Sequence, residues 1–203
     1  MSGDTNLRRI ILTRLLVKRR VGGLLRQLCV TAVMMCLLMI QPKVFAKGSY
    51  QDPEAFLVDV FGDNPPQMSR LWIKDELKQS IRGVMDHDLP VLRLGYWRDG
   101  DRSVWIVDEI GKEQPITIGV VVNAGQIERV KILAFRESRG WEIRYPFFTD
   151  QFKGAGLKDG DELDRTIDGI SGATLSVNAV NKVARVALLL DRASKATAAE
   201  EQE

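Results

Sequence analysis

Between residues 91 and 135 the sequence takes on a two-residue period, and no other feature constrains the fold as strongly. Ile116, Ile118, Val120 and Val122 alternate with Thr117, Gly119 and Val121, and Val130, Ile132 and Ala134 repeat the pattern further on. Four strands are predicted, over 91–98, 103–110, 115–122 and 126–135. Asp99-Gly100-Asp101 and Asn123-Ala124-Gly125 are turn sequences between neighbouring runs, so the strands form hairpins of an antiparallel meander. One face of such a sheet packs on a core. From Ser176 the chain runs to its end without Gly or Pro, and Val180, Val183, Ala184, Ala187 and Leu190 fall on one side of a helix. The expected fold class is α+β, an antiparallel β-meander packed against a C-terminal helix, with N-terminal helices ahead of it.

Those N-terminal helices occupy residues 47–89. Pro53 to Phe61 predicts a short helix with Pro at its start and Phe56, Leu57, Val60 and Phe61 as the buried stripe, broken by Asn64-Pro65-Pro66. A second helix is predicted from Ser69 to about Met85, with Leu71, Ile73, Leu77, Ile81 and Val84 as its apolar positions. The main domain then runs over 90–195, and 196–203 reads as a disordered tail. Within the domain, Tyr145 to Phe152 reads as a short helix or turn, and Lys158 to Asp168 as an exposed connection.

The leader differs from everything after it. Of 29 basic and 27 acidic residues, eight basic and one acidic fall in the first 46, so the remainder carries a formal charge of about −5. The basic balance belongs to the leader, and a nucleic-acid-binding reading loses its support. Behind Arg26 comes an apolar run from Leu28 to Ile40, then Gln41-Pro42, then Val44-Phe45-Ala46. This is the layout of a signal peptide cut after Ala46, and the run is short of the roughly 20 residues of a membrane span. An uncleaved anchor stays open beside it, because the basic region is long. Both readings export the domain to the periplasm, free in one case and inner-membrane anchored in the other.

Cys29 and Cys36 both lie in the apolar run, so the exported domain has no thiol for a disulfide, a metal or catalysis. The single histidine, His87, sits between Asp86 and Asp88 and reads as a solvated turn residue. Metal catalysis and a Ser-His-Asp triad therefore have no support in the chain's composition.

The chemistry concentrates in Asp168-Gly169-Ile170-Ser171-Gly172-Ala173-Thr174-Leu175-Ser176, directly before the C-terminal helix. A helix N-terminus offers unpaired N–H groups and the positive end of a dipole, which favour an anionic phosphate. Gly172 lets the backbone approach a ligand closely. The plainer reading is that Ser171, Thr174 and Ser176 cap the helix. Asp168-x-x-Ser171-Gly172-Ala173-Thr174 resembles the flavinylation motif of the FMN-binding domain family. That family occurs in subunits of the Rnf and sodium-pumping quinone reductase complexes and in nitrous-oxide-reductase accessory proteins. The resemblance implies that Thr174 is esterified to the phosphate of FMN by a separate flavin transferase that uses FAD. Asp168, Ser171, Gly172, Ala173 and Ser176 are then its companions in the cofactor-binding motif.

The family commonly carries a Glu-Thr-Pro-Gly-type loop lining the flavin site. Here Glu137-Ser138-Arg139-Gly140-Trp141 keeps the Glu, a hydroxyl and the Gly but puts Arg139 in place of Pro and Trp141 where a small residue is frequent. Two readings stay open. Trp141 stacks on the isoalloxazine ring while Arg139 stabilises a reduced, anionic flavin, or the segment is a surface loop whose aromatic plugs the core. The functional expectation is an extracytoplasmic carrier whose covalent FMN relays electrons, with a flavin transferase and membrane redox proteins as partners. A non-redox cell-envelope binding or assembly module and a flavin-dependent reductase are the alternatives.

Overall fold

The computed structural model describes residues 48–158 and 160–200; the leader reading of residues 1–46 and residues 201–203 of the expected tail lie outside them. The described chain runs α1 (Pro53–Phe61), β1 (Ser69–Trp72), α2 (Asp75–Met85), β2 (Arg93–Asp99), β3 (Arg102–Ile110), β4 (Pro115–Asn123) and β5 (Gln126–Phe135). After these come α3 (Pro146–Thr149), flanked by 3-10 turns at Trp141–Arg144 and Asp150–Phe152, and the long α4 (Thr174–Glu200). The five strands form one sheet in the order β1-β2-β3-β4-β5, every neighbour antiparallel. No helix among the described residues is long and apolar enough to cross a membrane.

The four expected strands are present, each end within two residues of its expected place. Two expectations need correction. The helix expected from Ser69 starts only at Asp75, because Ser69–Trp72 is an edge strand paired with β2 through Leu71↔Leu94 and Trp72↔Arg93. Leu71 and Ile73 are buried while Trp72 between them is exposed, the alternation of a strand, and Leu77, Ile81 and Val84 alone make the helical stripe. Within the stretch expected as a tail from residue 196, α4 instead continues to Glu200. That stretch, Ala196-Thr197-Ala198-Ala199-Glu200, is Ala-rich and has no helix breaker.

Both faces of the sheet are covered. On one, Ile116, Ile118, Val120 and Val122 of β4 meet Val180, Val183, Ala184 and Ala187 of α4, with Ile81, Val84 and Met85 of α2 beside them. On the other, Phe56 and Leu57 of α1 pack on Val104, Val121 and Leu133. Gly119 makes that second layer possible, because a Cβ there would stand 2.5 Å from the Phe56 ring. α1 itself starts on a capped turn, with the Asp52 carboxylate accepting the Glu54 N–H at 2.9 Å and Pro53 at the first helical position.

A buried polar network pins the far half of α4 to the sheet. Asp191, 1% exposed, accepts from Arg98 Nη2 of β2 and from Ser103 Oγ of β3, each at 2.7 Å. Arg98 also donates to Ser194 Oγ at 2.7 Å, and Trp105 Nε1 donates to Ser103 Oγ at 2.9 Å. Arg98 Nε and Nη1 are buried without a partner among the described residues, so Asp191 carries most of the compensation for that guanidinium. The network lies about 25 Å along the helix axis from Thr174. It fixes the rotation and height of α4, and hence where the first turn of that helix sits over the sheet.

Candidate cofactor site at the start of the long helix

Ile170 to Ala173 form the turn that launches α4, with the Ala173 N–H donating to the Ile170 carbonyl at 3.0 Å and Gly172 at φ +81°. The first bond of helical spacing runs from the Val177 N–H to the Ala173 carbonyl at 2.9 Å. The N–H groups of Thr174, Leu175 and Ser176 therefore have no partner inside the helix. Among the described residues, the hydroxyls of Ser171, Thr174 and Ser176 make no hydrogen bond to these groups, so the capping role is not filled by them. Ala173 and Ser176 are buried, whereas Thr174 and Leu175 are exposed.

The loop after β5 forms the opposite wall. Glu137 turns back onto the β3–β4 turn, where its Oε1 accepts the N–H groups of Lys112, Glu113 and Gln114 at 2.6, 2.7 and 3.0 Å. Burial by itself raises the Glu137 carboxyl, but the three backbone donors outweigh it and hold the group below its ordinary value of 4.5. Gly140, at φ +86°, then brings the loop down on the motif, where a Cβ would stand 2.7 Å from Ser176 Oγ. A glycine is required there on both counts, the left-handed backbone and the contact.

Between the two walls lies a cavity of about 640 Å³, lined by Lys112 and Glu113, by Glu137 to Arg139, and by Gly172 to Ser176. Of the residues singled out from sequence, it brings together Glu137, Arg139, Gly172, Ala173, Thr174 and Ser176. Asp168, Ser171 and Trp141 do not line it. The exposed Asp168 donates its N–H to Gln151 Oε1 at 2.7 Å, which ties the entry of the motif to the turn after α3. Ser171 sits exposed in the launching turn, and Trp141 packs edge-on against Tyr145 at 5.6 Å. Lys112 and Glu113 are absent from the sequence-based candidates. They stand about sixty positions from the motif, and only the β3–β4 register carries them to it.

His87 is half exposed but not merely solvated: its Nε2 bonds to Oε2 of the buried Glu109 at 2.9 Å, and its Nδ1 lies 2.9 Å from the Asp88 carbonyl. The Asp88 bond raises its pKa, burial lowers it, and the Glu109 bond raises it, for a net increase. With Lys182 Nζ bonding Asp86 Oδ2 at 2.7 Å and the Met85 carbonyl at 2.9 Å, the loop after α2 is fastened to β3 and α4.

Glu137→Gln is expected to lower stability by about 1–2 kcal/mol at neutral pH, because the bonds it weakens are to a charged acceptor. The Glu137 pKa is lowered on folding, so its contribution is complete above the ordinary carboxylate value and is lost as pH falls through the lower folded one. Urea unfolding of both proteins across that acid range checks this, with the two curves converging at the acid end.

Free helix N–H groups, two flanking cations and glycine-relieved walls meet at one cavity of this α+β fold, an arrangement that suits a phosphate-bearing ligand. Residues 111–189 match the model of the FMN-binding domain family, and a search of curated proteins returns no match. Over that segment the chain is similar to FMN-binding domains, which supports a flavin as its ligand. The match begins at the β3–β4 turn and takes in β4, β5, the Glu137 loop and most of α4, so both cavity walls fall inside it. The lining is compatible with FMN: the first turn of α4, Arg139 and Lys112 would hold its phosphate, and the cavity is of small-ligand size.

Proposed function

We propose that this protein is an extracytoplasmic flavoprotein that holds FMN through a phosphoester on Thr174 and relays electrons between membrane redox proteins. The observation that carries the reading is the position of Thr174, exposed on the cavity wall in the first turn of α4. A hydroxyl there is open to a transferase, and a phosphate bonded to it lies against unpaired N–H groups and the positive end of the helix dipole. The attachment balances as a phosphoryl-group transfer from FAD. An Oγ–P bond forms, the pyrophosphate bond on the FMN side breaks, AMP leaves, and the hydroxyl proton passes to a base of the transferase.

Flavin, once bound, supplies both one- and two-electron transfer. The chain's residues hold and place it. A tether at Thr174 keeps the effective concentration in the millimolar range, so a high affinity from ring contacts is not needed in a compartment poor in free flavin. An open cavity suits approach by a partner's redox centre better than enclosure of a substrate. The basic leader with its apolar run supports export, either cleaved after Ala46 or retained as an anchor.

Coexpression with a flavin transferase, followed by intact-mass analysis and flavin fluorescence of the denatured chain, tests the attachment. One FMN-sized increment is expected, and its absence overturns the covalent reading. The relay is tested by stopped-flow reduction of the flavinylated protein with membranes. If removing the flavin leaves extracytoplasmic electron flux unchanged while deleting the protein abolishes it, the protein is an assembly module instead.

A further inference from the structure

A second cavity, of about 340 Å³, adjoins the one at Thr174. Leu175 lines both, and Gly111 of the second is followed in the chain by Lys112 of the first. Its apolar lining includes Ile110 at the end of β3 and Leu175 in the first turn of α4, which the fold leaves 60% and 51% exposed. The charged groups around it are engaged elsewhere. Lys182 bonds Asp86 and the Met85 carbonyl, Arg185 donates to the Asp161 carbonyl and pairs with Glu162 at 2.9 Å, and the buried Glu109 bonds His87. Asn178 and Asn181 also line the cavity, and their side-chain amides make no hydrogen bond among the described residues. Asparagine is a poor helix former, because its amide competes for the backbone. Two unbonded asparagines on the cavity side of a helix rich in Val and Ala have no role in the fold that would offset this.

We propose that the isoalloxazine ring of the flavin lies in this second cavity, against Ile110 and Leu175, with its polar edge on the amides of Asn178 and Asn181. The proposal rests on the reading that FMN is bonded at Thr174. The ring has apolar faces, and its pyrimidine edge alternates carbonyl acceptors with an N–H donor. An Asn amide, donor and acceptor in one group, matches that edge in either order.

The helix gives a second, independent reason. Asn178, Asn181, Lys182 and Arg185 follow Thr174 at helical spacing and share its face of α4. The rise of the helix sets Asn178 and Asn181 about 6 Å and about 10 Å beyond Thr174, and helical side chains lean back toward the N-terminus. In FMN a flexible ribityl chain separates the phosphate from the ring, so a phosphate at Thr174 leaves the ring within reach of both amides. The first cavity is the poorer seat for a ring. Apart from Ala173 and Leu175 its wall is glycine and polar or charged groups, Lys112, Glu113, Glu137 and Arg139 among them, which suit the phosphate. The two cavities together divide the cofactor into its anionic and its aromatic half.

The test uses the full chain coexpressed with a flavin transferase and isotopically labelled at asparagine nitrogen, reading the side-chain amides by nuclear magnetic resonance. Asparagine occurs at five positions, so Asn178→Leu and Asn181→Leu assign the two signals of interest. Those signals should shift between the flavinylated chain and Thr174→Ala, while those of Asn64 and Asn123 stay in place. Each Leu variant should keep the covalent increment and an unchanged circular dichroism spectrum, yet move the infrared carbonyl bands of the bound flavin. Unmoved amide signals on a chain that carries the increment overturn the inference and leave the attachment standing. Carbonyl bands that move in Arg139→Gln but in neither Leu variant place the ring in the first cavity and overturn it as well. A chain with no increment overturns the attachment at Thr174, and the inference with it.

Discussion

Thr174→Ala is expected to abolish covalent flavin completely, leaving an intact mass equal to that of the unmodified variant chain and no fluorescence after denaturation. Three hydroxyls lie within six residues of the motif, and the structure ranks them. Ser176 is 5% exposed beneath Gly140, where a transferase cannot reach it. Ser171 is exposed but lies outside the cavity lining. Thr174 alone of the three is both exposed and on the wall. The substitution puts Ala, the strongest helix former, in the first turn and removes no hydrogen bond seen among the described residues, so stability should stay within about 0.5 kcal/mol. Loss of the increment is then a loss of chemistry. Ser171→Ala should weaken modification at most, and Asp168→Ala should lower it by loosening the approach to the motif. An FMN-sized increment surviving in Thr174→Ala would sink the assignment.

The second large effect is on stability. Asp191→Ala is expected to cost about 3–5 kcal/mol, because it strands the Arg98 guanidinium, two of whose nitrogens already have no partner among the described residues, and removes the acceptor for Ser103. For a chain of this size that lowers the melting temperature by roughly 10 °C. Lys195→Ala is the control. Its ammonium lies 3.2 Å from Asp191 Oδ2 but is about a third exposed, so its removal should cost no more than about 0.5 kcal/mol. Thermal unfolding of both variants checks the contrast, and a small effect of Asp191→Ala would show that apolar packing alone holds α4 in place. Partial loss of flavinylation in Asp191→Ala, read at a temperature where it stays folded, would show that the network also positions the first turn.

Several parts of this protein were legible in the sequence, each for a local reason. The two-residue period of 91–135 and the turn residues between its runs specify a meander, since alternation and hairpin chemistry are set by near neighbours. The unbroken run after Ser176 specifies the covering helix, and the motif directly before it marks where that helix begins. What failed was also local in kind. Leu71 and Ile73 fit a helical stripe and a strand equally well, and the choice was made by an open edge on β2 that no window around them contains.

The composition of the site itself was a tertiary matter. Glu137 was expected among the cofactor contacts, yet its Oε1 accepts three N–H groups of the turn at 112–114 and so builds the wall that brings Lys112 to the cavity. Trp141 ends up in a surface cluster around Arg144 that draws Tyr50 from ninety residues upstream. Arg98, Ser103 and Asp191, spread over the same distance, meet in one buried network. Residue type and spacing determine which element forms and where a helix begins, because those depend on bonds between neighbours in the chain. Which walls face each other across a cavity depends on strand register and on the rotation of one long helix, and those are decided where distant side chains pack.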